Sequence, residues 1–143
     1  MMLRKVGFAE IAAAVLQNLR TNTNCSCYDA VARDTPSPFL FVEVVGKRDA
    51  SSKTLYKEVF TVQIHAIATP GDARTEIYGM IQSVEESMTE PLSMPDGITL
   101  VLQTETGVQS LQQDETNEWH AVLSYEIMVS YGLKCKTVSY THL

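Results

Sequence analysis

The segment "EWHAVLSYEIMVSYG", residues 118–132, constrains the fold more than any other part of the chain. Trp119, Ala121, Leu123, Tyr125, Ile127, Val129 and Tyr131 recur at every second position, with His120, Ser124, Glu126 and Ser130 between them. A period of two places the first set on one face of a β-strand and the second set on the other. The first face is expected to be core, and the opposite face to be wet or to meet a partner. The same alternation makes core packing, not an exposed aromatic platform, the expected role of Trp119, Tyr125 and Tyr131.

"TLYKEVFTVQIHAIA", residues 54–68, repeats the pattern: Phe60, Val62, Ile64, Ala66 and Ala68 share one face, and Thr61, Gln63 and His65 the other. "FLFVEVVG", residues 39–46, is rich in β-branched and aromatic residues and predicts a strand ending at Gly46, followed by the polar loop "KRDASSK". "ITLVLQTE", residues 98–105, predicts another strand with Ile98, Leu100 and Leu102 facing inward, and "TGVQSLQQDETN" continues it as a polar strand-loop segment. From Cys25 to Arg33 the pattern is weak and compatible with a short strand, which "DTPSP" then breaks.

Helical spacing appears twice. Phe8, Ile11, Ala12, Val15, Leu16 and Leu19 predict a helix over about Leu3–Leu19, ended by the capping-type residues of "RTNTNCS". Ala73, Ile77, Met80, Ile81, Val84 and Met88 predict a second one. Pro70 and Gly71 end the preceding strand, and Asp72 is placed to cap this helix. The summed order is α-β-β-α-β-β. It predicts an α+β fold, a mainly antiparallel sheet of four or slightly more strands with both helices on one face.

At 143 residues the chain fits one domain, expected over residues 1–137. The last six residues, "VSYTHL", resemble the translated start of a sequencing adapter, so 138–143 are expected to be a non-native C-terminal artefact. The N-terminal stretch superficially suggests a signal peptide, but Glu10, Gln17 and Asn18 interrupt its apolar run at helical spacing. No stretch approaches bilayer-spanning length. A formal charge of -6 argues against free nucleic acid as a partner. Three cysteines, Cys25, Cys27 and Cys135, are too few for a disulfide framework and point to a reducing cytoplasm.

Two strands of about 14 residues would reach about 45 Å. A compact domain of this size is only roughly 37 Å across. The sequence therefore predicts that part of each strand projects and is covered by a neighbouring copy.

Residues of chemical interest weigh toward structural roles. "TPGDA" holds one glycine and a carboxylate that would repel an anion, so the corner is a turn and a cap, not a phosphate site. Cys25 and Cys27 form a Cys-x-Cys with no second ligand pair, unlike a zinc knuckle, so no metal is expected. Neither a nucleophile elbow nor an "HExxH" motif occurs. Glu85-Glu86 and Asp114-Glu115 are sequence neighbours that do not face each other, which suits solvated surface. Lys47, Arg48 and Lys53 are the one concentration of positive charge. With His65 they are the candidate partner-interface residues, on a loop and an exposed face.

An N-terminal helix, "SPFLFVEV", "YKEVFTVQIHAIA", the helix "ARTEIYGMIQSVEESM", "GITLVLQTE" and the closing "EWHAVLSYEIMVSYG" follow in that order. From about Leu3 to Lys136 this arrangement resembles the tail terminator and tail-completion proteins of long-tailed bacteriophages and prophages. The resemblance implies a structural subunit without cofactor or catalysis, forming a homohexameric ring. Such a ring caps the tail tube, stops tube polymerisation and joins the head connector; it is assembled in the bacterial cytoplasm and resides in the virion. Two alternatives stand beside it: a head-side neck protein, and a small-molecule-binding enzyme using His65, Asp72 and His120.

Overall fold

The computed structural model describes residues 2–32 and 34–134. Cys135 and the segment 138–143 lie outside the described residues. Seven elements follow in order: α1 (Phe8–Asn22), β1 (Cys27–Tyr28), β2 (Phe39–Asp49), β3 (Leu55–Ile67), α2 (Thr75–Ser87), β4 (Thr99–Gln113) and β5 (Trp119–Leu133). They form one five-stranded sheet in the order β1-β2-β3-β5-β4, with every pairing antiparallel except the parallel β1–β2. The α+β class with two helices stands. The sheet is mixed and five-stranded, because the weak segment after Cys25 supplies a two-residue parallel strand.

The period-two faces were legible. Phe60, Val62, Ile64, Ala66 and Ala68 on β3 are buried, and so are Ala121, Leu123, Tyr125, Ile127, Val129 and Tyr131 on β5. Ile11, Val15, Leu16 and Leu19 of α1 lie with Ile77, Met80 and Val84 of α2 in the same core. The buried Asn18 amide donates to the Glu90 carbonyl at 3.1 Å, and the Ser87 hydroxyl donates to the Asn18 side-chain oxygen, so a polar lock joins α1 to the end of α2.

The first helix starts later than its spacing predicts. Residues before Phe8 are not helical; the Gly7 N–H donates to Glu10 at 3.0 Å and sets the start. Val6 is buried, and its N–H reaches the Tyr131 hydroxyl at 3.3 Å.

The second helix is not capped by Asp72, which is exposed; Arg74 is the N-cap residue and makes no side-chain cap bond. Glu76, inside the first turn, reaches back instead and accepts from the Thr69 N–H at 2.6 Å. The corner is also tied to the β4–β5 turn, since the Gly71 N–H donates to the Asn117 carbonyl at 3.1 Å. The Arg74 guanidinium lies 4.9 Å from the Trp119 ring centroid beside the same corner.

Strand lengths differ from expectation in two places. β2 runs past Gly46 to Asp49, so Lys47 and Arg48 are strand residues, not loop residues. A bulge between Val44 and Gly46 changes the alternation there. β4 extends through the polar "TGVQSLQQ" segment to Gln113. Its register shifts between Leu100 and Leu102, and Leu102 is 54% exposed, not inward. A further shift falls at Gly107, whose φ of 110° is a conformation that suits glycine. Ser124, expected on the wet face, is buried.

The long strands do not project. β3 is paired along its length with β5 and, over most of it, with β2; β5 is flanked by β3 and β4. The long strands are covered because neighbours of similar length, 11 to 15 residues, lie side by side. What remains unpaired by the described strands is the outer edge of β4, the part of β2 beyond Phe41 and the outer edge of the two-residue β1.

Candidate functional site

The sheet face away from the helices carries the most chemically organised cluster. Phe41 of β2, His65 of β3 and Val122 of β5 lie opposite one another, and His120 sits diagonally from His65. His65 Nδ1 is 2.9 Å from His120 Nε2, and His65 Nε2 is 3.2 Å from Glu43 Oε1. An ionised carboxylate only accepts, so His65 carries its proton on Nε2 when neutral. Its Nδ1 then accepts, and His120 Nε2–H donates. The result is a carboxylate–imidazole–imidazole chain across three strands.

Burial, and next the neighbouring His65, push His120 below its ordinary range, against the opposing pull of Asp114 and Glu118. The chain can hold or pass a proton. The two facing ring nitrogens bond to each other, so they do not converge on a common ligand point. Among the described residues no group of three metal-ligating side chains is assembled. Cys25 and Cys27 are free thiols, both pushed up chiefly by burial.

The rival set of sequence candidates comes together only in part. His65 meets His120, whereas Asp72 is exposed at the strand-to-helix corner and is not among their hydrogen-bond partners; Glu43 takes the carboxylate position. The alternation of β2 places Glu43 on the same face as Phe41. Its meeting with His65 required the strand order, which single-strand periodicity does not carry.

The interface candidates occupy different settings. Lys47 Nζ lies 3.6 Å from Glu58 and 5.7 Å from the Phe60 ring centroid. Arg48 bridges to Glu126 of β5 at 2.9 Å on the open face. Lys53 stands in the exposed turn between β2 and β3.

A second cluster, not anticipated, centres on Glu58, whose side chain is 7% exposed. It accepts from the Tyr131 hydroxyl at 2.6 Å and from Lys5 Nζ at 3.0 Å, with Lys47 also nearby. Burial alone would raise its pKa; the Tyr131 and Lys5 bonds outweigh that and hold the carboxyl below the usual range. The signal was available, because Glu58 shares parity with Phe60 and Val62 on the core face.

An open groove of about 520 Å³ runs between the end of α2 and β4, lined in part by Met88, Leu100, Gln103 and Tyr125. Gln103 fills a structural role there, donating to the carbonyls of Met88 and Glu90 at 2.7 and 2.9 Å. The Tyr125 hydroxyl donates to Glu105 at 3.0 Å.

An α+β sheet with one helix-covered face, one open face and free strand edges is the architecture on which the comparisons bear. The chain belongs to the phage tail terminator family, described as "Putative tail termination protein", which matches residues 2–137. Its fold is similar to a chain in the structure titled "Virion of native gene transfer agent (GTA) particle". That likeness has a TM-score of 0.74 at 20% identity, over 88% of this chain and 99% of the other. No curated protein matches the chain. The protein is thus a phage tail structural component by family.

Proposed function

We propose that the protein closes the tail tube: six copies assemble into a ring on the last tube layer, block further addition of tube protein and present a joint to the head connector. The observation that carries this reading is the family match over residues 2–137. The fold supports it, since β4 and the distal half of β2 leave backbone donors and acceptors unpaired by the described strands. In a ring, one patch docks on a different patch of the next copy, which two dissimilar edges of one sheet can supply. Assembly takes place in the bacterial cytoplasm and the ring resides in the virion, with tube protein and head connector as partners.

Two measurements test the reading together. Size-exclusion chromatography with light scattering on the protein is expected to give a ring of six copies, about 95 kDa from the 15.9 kDa chain. Added to polymerising tube protein from the same gene cluster, the chain is expected to arrest elongation, read as tube length by electron microscopy. Unchanged tube growth together with absence of the chain from tube ends would overturn it.

A further inference from the structure

The fold gathers positive charge that the sequence scatters. Lys47 and Arg48 end β2, Lys53 sits in the following turn, Lys57 opens β3 and Lys134 follows β5. The antiparallel register brings these to one end of the sheet, where the Lys134 N–H also donates to the Thr54 carbonyl at 2.8 Å. Arg4 and Lys5 join them, because Lys5 is bound to Glu58 and Val6 to Tyr131. Seven of the chain's 11 basic residues thus stand at one end. Glu10, Asp49, Glu58, Asp96 and Glu126 are the described carboxylates among them, so seven positive against five negative leaves two net positive in a chain of formal charge -6. The opposite end, the α2 corner and the β4–β5 turn, holds Asp72, Glu76, Asp114, Glu115 and Glu118, with Arg74 beside them.

We infer that the basic end is a docking surface for an acidic protein surface. Charge complementarity selects the sign of the partner. The interspersed carboxylates select its class. Glu126 and Asp49 would face the continuous negative charge of a nucleic-acid backbone, whereas a protein surface can meet them with its own cations. Tyr56, 38% exposed with Lys134 Nζ 5.3 Å from its ring centroid, adds the aromatic contact that protein interfaces favour. Lys53 and Lys57 make no ion pair among the described residues and, with Lys134 beside Tyr56, are free cations of the patch.

The test is fluorescence anisotropy of the full chain with a labelled poly-L-glutamate of about 20 residues, beside a labelled duplex DNA of comparable charge. The peptide is expected to bind, to weaken with added salt, and to lose about tenfold in affinity in the Lys53→Glu, Lys57→Glu double variant. The neutral Lys53→Gln, Lys57→Gln variant, checked for native circular dichroism, is expected to lose less in the same direction. Tighter binding of duplex DNA, no binding of the peptide, or equal affinity in both variants would overturn the inference. The readout is independent of ring formation, so the two readings can fail separately.

Discussion

At the scale of single residues, Glu58 and His120 are two groups whose ionisation is coupled to folding. Glu58 is held below its usual range, so its contribution is present above the unfolded value near 4.5 and is lost as pH falls through the folded value. Glu58→Gln is expected to lower stability by roughly 1 to 3 kcal/mol at pH 7 and to flatten the acid limb of the stability profile. Urea midpoints at pH 7 and in the acid range measure both effects. His120 behaves with the same sign for a different reason. Its folded value lies below the ordinary 6.5 of a histidine, so the folded state resists protonation, and stability falls as pH drops from 6.5 through the folded value. His65→Ala is expected to raise the His120 midpoint in a proton NMR titration by removing the neighbouring imidazole, and Glu43→Gln to alter the tautomer of His65.

Among the elements, the helix pair and the edge strand answer to different forces. Asn18→Ala is expected to cost roughly 1 to 3 kcal/mol, because it removes both side-chain bonds of Asn18, to the buried Ser87 hydroxyl and to the Glu90 carbonyl, at the α1–α2 contact. Thermal unfolding followed by circular dichroism measures it. The core faces of β3 and β5 and the stripes of both helices were legible in the sequence, since burial on one side imposes periods of 2 and 3.6. The bulges were not. An extra residue at Val45 or Val101 reverses the assignments that follow it up to the next bulge, which is why Lys47 lands beside Phe60 and Leu102 turns outward. The cap of α2 escaped for a related reason: Glu76 satisfies Thr69 across the corner, a contact that nearest-neighbour capping rules do not describe. Of the open-face cluster, each member was visible on its own strand, and only the order β2-β3-β5 joins Glu43 to His65 and His120.

For the whole molecule, the sheet resolves the length problem by matching strand to strand, and its free edges take over the part that projecting arms were expected to play. Assembly through those edges is expected to slow amide exchange along β4. Hydrogen exchange of the chain alone and on tube ends measures that protection. The strand-to-helix corner also contains the chain's single tryptophan. Trp119 sits under Arg74 with its indole N–H buried and unpartnered among the described residues. Its emission therefore serves as a built-in optical gauge of that corner: a red shift arriving before the loss of far-ultraviolet ellipticity would mark the hairpin tip lifting away from α2 while the rest of the sheet stays intact.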